Sequence, residues 1–158
     1  MMKLTEIVAR EAIVVPLKST DRDEVVAELI DAVATTLNAT PELRNDLLAR
    51  VLLREKKGST GFGKGVAVPH VKHPQVKRMR AALGVSPRGV DFNALDKQPV
   101  FSVMLLLSPE NQPEEHLQAM EVIFKNVSKE TFRRFLRQAT GPDDVWALLE
   151  EADAQLMA

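Results

Sequence analysis

One apolar run, VFSVMLLLS at residues 100–108, most constrains what this chain can fold into. A strand with one wet face alternates apolar and polar residues, whereas a strand covered on both faces is almost continuously apolar. The uncharged stretch around the run, residues 99–109, is far shorter than the ~20 residues that a membrane helix needs. We therefore predict a central β-strand with helices packed on both faces of its sheet.

Apolar residues recur at helical spacing both before and after this strand. Before it, we predict one helix from Thr20 or Asp21 to about Asn38, and a second from Pro41, with Thr40 as its N-cap, to near Glu55. After it, we predict three helices, at about residues 113–127, 129–139 and 143–151.

Three shorter segments between and before the helices favour strands. They are residues 13–17, where Pro16 indicates an edge strand, the run VAVPH that ends at His70, and residues 79–86, closed by turn residues 87–89. The link from 86 to 100 contains turn residues rather than a crossover helix, so we expect mixed strand directions. The predicted fold class is α/β, a three-layer α/β/α sandwich around a small mixed β-sheet.

Length and composition narrow the function classes. The chain has 158 residues, which suggests a single domain, and it has no cysteine, which excludes disulfides, thiolate metal sites and cysteine nucleophiles. The charged start, MMKLTEIVARE, offers no signal peptide, so we expect a soluble, cytoplasmic protein. A net charge of −1 and 4% aromatic residues predict neither a nucleic-acid nor a membrane partner.

The charge is unevenly distributed, however. Residues 54–80 contain eight Lys and Arg residues and one acid, Glu55, so this segment carries +7 while the whole chain carries −1. The segment is either a solvated basic face or a site for an anion.

A glycine-rich stretch, GSTGFGKG at residues 58–65, lies inside this basic segment. It nearly fits a phosphate-binding P-loop, but Gly65 stands where the Mg²⁺-binding Ser or Thr is required. The P-loop also follows a strand and precedes a helix, the reverse of the order predicted here, so we reject nucleotide binding. The stretch remains a flexible loop whose hydroxyls and N–H groups, at Ser59, Thr60 and Gly61, are candidates for binding phosphate.

His70 follows this loop and is the candidate nucleophile. A neutral imidazole has a free ring nitrogen at physiological pH, and that nitrogen can attack and hold a phosphoryl group. Phosphoryl transfer needs in-line positioning and positive charge around the equatorial oxygens, which Arg54 and the loop N–H groups are placed to supply.

The whole segment 54–70, REKKGSTGFGKGVAVPH, closely resembles the signature of phosphotransferase-system IIA domains of the fructose/mannitol class. The resemblance extends over about residues 4–151 and includes PEEHL at 113–117, which opens a helix. It implies the IIA fructose/mannitol-type fold, an α/β sandwich around a small mixed sheet. It also implies that the histidine after Ala-Val-Pro accepts phosphate from HPr, the histidine-containing phosphocarrier.

Carried over by position, the resemblance makes His70 the phosphoryl acceptor, Arg54 a phosphate contact and His116 a stabiliser near His70. It implies no cofactor, and a phosphotransferase component with a transient phosphohistidine rather than a stand-alone catalyst. Two departures stand beside the acceptor. Val71 occupies a position where the family often has Gly, and His73 is an additional histidine, interpreted as a surface or supporting residue.

Three functions follow as alternatives. The favoured one is a nitrogen-regulatory IIA protein that uses the phosphoryl group to regulate partner proteins; the second is a sugar-transport IIA component that passes it to a separate IIB protein, since this chain lacks the cysteine that IIB uses. Both predict a shallow site ringed by apolar surface. The third is a zinc hydrolase with His70, His73 and His116 as ligands, disfavoured by the basic surroundings.

Overall fold

The computed structural model of the protein describes residues 2–157, which form six helices and a six-stranded sheet. The elements in chain order are α1 (Leu4–Ile7), β1 (Val8–Val14), α2 (Arg22–Thr36), α3 (Pro41–Lys57), β2 (Gly61–Gly63), β3 (Val66–Ala67), β4 (His70–His73), β5 (Arg80–Val90), β6 (Val100–Pro109), α4 (Pro113–Val127), α5 (Glu130–Gln138) and α6 (Pro142–Met157).

The sheet is mixed, as predicted. Its strand order is β1-β5-β6-β3-β2, and β4 also pairs with β6 beyond the end of β3. β1 runs parallel to β5, β5 antiparallel to β6, and both β3 and β4 parallel to β6. Every residue of β6 except Phe101 is buried, which confirms the predicted central strand.

Two apolar cores lie on opposite faces of this sheet, so the three-layer arrangement is confirmed. Alternate residues of β6 face each of them: Met104 and Leu106 belong to one core, and Leu105 and Leu107 to the other. The first core includes residues of α1, α4, α5 and α6, and the second includes residues of α2 and α3.

The first two long helices begin where their capping residues predict. The Asp21 carboxylate accepts a hydrogen bond from the Glu24 N–H at 2.9 Å, and the Thr40 hydroxyl accepts one from the Leu43 N–H at 3.2 Å. Each side chain satisfies an N–H group that has no partner within the helix. Within residues 2–157, no helix combines the length and the apolar character needed to cross a bilayer.

The predicted strand boundaries were wrong in three places. β1 begins at Val8 and ends at Val14, before Pro16, although it is an edge strand as expected. β5 continues through residues 87–89 to Val90, with an irregular register against β6 after Val85. Turn-type residues in a bulged strand gave the same sequence signal as a turn.

The third error concerns the run that ends at His70. Pro69 has no N–H to donate, so it divides the run into β3 and a separate β4, and both pair with β6. The Pro69 carbonyl still accepts from the Leu106 N–H at 2.9 Å. His70 therefore begins a strand instead of ending one. The short elements α1 and β2 had no clear sequence signal.

Candidate functional site

The candidate nucleophile, His70, has a defined ring orientation. It is partly exposed at the start of β4, and its Nδ1 lies 2.9 Å from the carbonyl oxygen of Val68. A carbonyl only accepts hydrogen bonds, so Nδ1 carries the proton and donates it. In the neutral ring Nε2 is then left with a free lone pair, which makes Nε2 the nucleophilic atom.

His116 lies beside this ring, as the resemblance implies. The two ring centroids are 5.6 Å apart and the ring planes are inclined by 50°. The parallel pairing of β4 with β6 places His70 opposite Leu106, and α4, which begins soon after β6 ends, returns His116 to the same edge. His116 is buried in the first turns of α4, and its Nδ1 lies 2.6 Å from the Ser108 hydroxyl oxygen.

Burial is the main cause that lowers the pKa of His116, and the positive charge of a protonated His70 and that of Lys72 lower it further. Removing an imidazolium from water and placing it beside other cations disfavours the charged form. His116 is therefore neutral at physiological pH, and it acts on its neighbour as a hydrogen-bonding group rather than as a cation.

Arg54 occupies the last turn of α3, where it is exposed. Its Nη1 donates to the Gly58 carbonyl at 2.7 Å, so the side chain lies over the start of the glycine loop, and this hydrogen bond joins it to the loop and not to either histidine. A guanidinium has five N–H donors, which leaves others for an anion. The role of Arg54 as a phosphate contact stays a prediction.

The candidate phosphate-binding loop is organised by a residue that the sequence analysis did not select. The Thr60 N–H donates to the buried Glu55 carboxylate at 3.1 Å, and the Thr60 hydroxyl donates to it as well. The Gly61 N–H donates to the Ser59 hydroxyl at 2.9 Å. The donors of Thr60 and Gly61 are thus engaged within the loop, and they must change partners before they bind an anion. The Ser59 hydroxyl only accepts here, so its own hydrogen is left for donation. The lone acid in a basic segment was the signal for Glu55.

The loop also needs glycine for steric reasons at one point. A Cβ on Gly61 would lie 2.9 Å from the Ala94 side chain, closer than van der Waals contact allows. The Gly61 carbonyl accepts from the Leu95 N–H at 2.8 Å, which fixes β2 against the segment after β5.

The additional histidine, His73, is buried, which excludes the surface alternative of its interpretation and leaves the supporting one. Its Nε2 lies 2.6 Å from the Asp46 carboxylate, and its Nδ1 accepts from the Gln75 N–H at 3.0 Å. The hydrogen bond from His73 is the main reason that the pKa of Asp46 is lowered. Because Asp46 belongs to α3, this contact ties the helix of Arg54 to the strand of His70.

The three-histidine zinc alternative has no support in this geometry. Both ring nitrogens of His73 are occupied, which leaves only His70 and His116 side by side. In the described part of the chain, no three His, Asp or Glu side chains lie close enough to share a metal ion.

The other departure and the expected apolar surface concern the surroundings of His70. Val71 packs against the core on the side of α2 and α3, the face of the sheet opposite to that of the His70 side chain, because successive strand side chains alternate faces. Leu53 and Leu117 are 59% and 68% exposed, and they adjoin Arg54 and His116 in the sequence. Neighbouring residues of a helix do not share a face, so the ring of apolar surface around the site stays a prediction.

The structure is thus that of a layered α/β protein with a mixed sheet, which holds one imidazole with a free Nε2 beside a second, neutral imidazole. A sequence profile of the family described as "Phosphoenolpyruvate-dependent sugar phosphotransferase system, EIIA 2" matches residues 6–152. The chain belongs to this family.

Individual relatives divide between two kinds of protein. The "Nitrogen regulatory protein" of Bradyrhizobium diazoefficiens is 32% identical over 148 residues, covering 94% of this chain and 95% of that protein. The "PTS system fructose-specific EIIABC component" of Bacillus subtilis is 31% identical over 155 residues, covering 96% of this chain and only 24% of that protein.

Solved structures confirm the fold. The crystal structure of the nitrogen regulatory protein IIA-Ntr from Neisseria meningitidis superposes with a TM-score of 0.82 at 30% identity, covering 91% of this chain and 97% of that one. The crystal structure of IIA mannitol from Escherichia coli gives a TM-score of 0.69 at 23% identity, covering 89% and 97%. The IIA fructose/mannitol-type fold predicted from the motif is therefore correct.

Proposed function

We propose that this IIA protein accepts a phosphoryl group on Nε2 of His70 from an HPr-type histidine phosphocarrier. The observation that carries the proposal is the hydrogen bond from His70 Nδ1 to the Val68 carbonyl, because it leaves the lone pair on Nε2. That pair attacks phosphorus as the bond from phosphorus to the donor's imidazole nitrogen breaks, and the bonding pair leaves with the donor. The proton stays on Nδ1 throughout, hydrogen-bonded to the Val68 carbonyl.

The surroundings of His70 supply the stabilisation that this transfer needs. Phosphoryl transfer depends on positioning and on charge stabilisation at the equatorial oxygens. Arg54 is the proposed cationic contact, and His116 is the proposed hydrogen-bonding neighbour. Thr60 and Gly61 are proposed to exchange their contacts within the loop for the phosphate, and Ser59 is proposed to donate its free hydroxyl hydrogen to it. Because the acceptor ring is regenerated only by passing the group on, the protein acts as a carrier and not as a stand-alone catalyst.

We favour the regulatory role over sugar transport. Two relatives that are at least 30% identical and matched over nearly their full length, from Bradyrhizobium diazoefficiens and Neisseria meningitidis, are named as nitrogen regulatory proteins. IIA mannitol is matched as fully but is only 23% identical. In this proposal residues 1–158 act as one cytoplasmic domain, with a core at about 4–151, and phosphorylation of His70 changes which proteins it binds. The added negative charge alters partner binding by local electrostatics.

The direct test is phosphorylation by a reconstituted donor chain. The protein is incubated with phosphoenolpyruvate, enzyme I and HPr, and the gain of one phosphoryl group is followed by intact mass. We expect an acid-labile, base-stable modification that His70→Ala removes and that the matched variant His116→Gln retains, at a lower rate. Modification that persists in His70→Ala moves the acceptor elsewhere, and no modification of the unaltered protein contradicts the carrier function.

A second measurement separates regulation from transport. The phosphorylated protein is mixed with a purified IIB protein of the fructose or mannitol class, and transfer to its cysteine is followed. The regulatory proposal expects slow or absent transfer together with partner binding that differs between the phosphorylated protein and His70→Ala. Fast and complete transfer to IIB supports the transport alternative.

A further inference from the structure

We propose that Ser108 is a positioning residue whose hydroxyl holds His116 in the tautomer that carries its proton on Nε2, ready to donate to a phosphoryl group on His70. The inference rests on the proposed phosphorylation of His70. Its structural basis is the contact between Ser108 and His116, which neither the motif nor the comparisons assign.

Burial decides the direction of this hydrogen bond. Ser108 is fully buried at the end of β6, and its Oγ lies 2.6 Å from His116 Nδ1. Among residues 2–157 this is the only side-chain hydrogen bond of the Ser108 hydroxyl. If Oγ only accepted a proton from Nδ1, its own hydrogen would be buried without a partner, which costs free energy. The hydroxyl therefore donates to Nδ1.

The consequence is a fixed tautomer for His116. A neutral imidazole has one N–H group and one bare nitrogen. Burial, together with the positive charge of Lys72, lowers the pKa of His116 and keeps its ring neutral. Since Nδ1 accepts from Ser108, the proton of the ring is on Nε2.

The two histidines then have complementary tautomers. His70 donates from Nδ1 to Val68 and keeps a bare Nε2, whereas His116 accepts at Nδ1 and carries its proton on Nε2. With ring centroids 5.6 Å apart, a group bound to His70 comes next to His116. Phosphoryl oxygens only accept hydrogen bonds, so an N–H attracts them, and a bare nitrogen in the same place repels them.

The first experiment is Ser108→Ala, with Ser102→Ala as a matched control. Ser102 is also a buried residue of β6, and its hydroxyl has no histidine partner in residues 2–157. ¹⁵N NMR of the imidazoles reports which nitrogen of His116 is protonated. We expect one tautomer in the unaltered protein and in Ser102→Ala, and a mixture in Ser108→Ala. The phosphohistidine of Ser108→Ala is expected to hydrolyse about two- to tenfold faster, the range for loss of one positioning hydrogen bond.

The second experiment uses His116→Gln to separate positioning from packing. The glutamine side-chain NH₂ presents donors near the former Nε2 position and has no tautomer for Ser108 to select. In the His116→Gln background, Ser108→Ala is therefore expected to change the hydrolysis rate by less than about twofold. An equal effect in both backgrounds identifies a purely structural role and overturns the proposal.

A single unchanged His116 tautomer in Ser108→Ala also overturns it. The tautomer measurement needs no phosphoryl donor, so it tests Ser108 even if His70 is not the acceptor. Failure of the proposed function gives a different result. In that case HPr does not phosphorylate the unaltered protein, while the ¹⁵N spectra of Ser108→Ala still show the expected change of the His116 tautomer.

Discussion

Replacing Glu55 with glutamine is expected to loosen the glycine loop that precedes His70 and to destabilise the protein. Glu55 is only 2% exposed, and its carboxylate accepts both the N–H and the hydroxyl of Thr60. Glutamine keeps one acceptor oxygen and replaces the other with an NH₂ group. With the NH₂ group in place of Oε2, the shorter hydrogen bond of the Thr60 N–H, 3.1 Å, is lost and two donors are brought together, while the longer contact of that N–H with Oε1, 3.3 Å, remains.

The magnitude follows from the nature of the lost bond. A hydrogen bond to a charged group contributes about 1.5–3 kcal/mol, so Glu55→Gln is expected to lower the free energy of unfolding by about that amount. In a chain of this size, each 1 kcal/mol shifts the melting temperature by about 2–4 °C, so the expected decrease is roughly 3–12 °C. Urea denaturation at neutral pH gives the free energy, and a thermal scan gives the melting temperature.

A double-mutant cycle tests the reasoning. Thr60→Val removes the hydroxyl at nearly constant volume, and its effect should be coupled to that of Glu55→Gln by more than about 1 kcal/mol. The control is Thr36→Val, whose hydroxyl donates to the neutral Val33 carbonyl at 2.7 Å inside a helix and whose effect should add to that of Glu55→Gln. Purely additive losses at Glu55 and Thr60 would refute the role of the carboxylate. Phosphorylation of His70 by HPr should also be slower in Glu55→Gln than in Thr36→Val.

Three further predictions concern packing, pH and docking. Gly84→Ala places a Cβ 2.7 Å from Leu17 and should cost about 1–3 kcal/mol in urea unfolding, a loss that Leu17→Ala in the same chain reduces. The pKa of His116 is lowered on folding, so the unfolded chain binds a proton more readily than the native ring does. The free energy of unfolding should therefore be highest above about pH 6.5 and decrease as the pH falls below it. His116→Gln should reduce this dependence on pH. Leu117→Glu, at a 68% exposed position, should slow transfer from HPr about tenfold while stability changes by less than about 0.5 kcal/mol; an unchanged transfer rate places donor docking elsewhere.

Features determined by local sequence were predictable. β6 was recognisable because a strand covered on both faces cannot avoid continuous apolarity, and α2 and α3 because Asp21 and Thr40 cap them. His70 and His116 were identified as neighbours only through the resemblance, since no local pattern brings together residues that far apart in the chain.

Contacts that depend on strand register were not predictable. The sequence did not show that His70 begins a strand paired with β6, because Pro69 looked like the end of a strand. It did not reveal the pairing of His73 with Asp46, which requires α3 to lie against β4. The Ser108 hydroxyl was equally hidden, since its partner is set by how α4 turns back after β6.

The hydrogen bond between His70 Nδ1 and the Val68 carbonyl has a consequence for protein engineering. The group that chooses the reactive nitrogen belongs to the main chain, so every amino acid at position 68 provides it. Because position 68 is buried, the volume and shape of its side chain affect packing, whereas its chemical identity does not affect the hydrogen bond to His70. In a library randomised there, members should differ in yield and melting behaviour, and every folded member should bear phosphorus on the same atom.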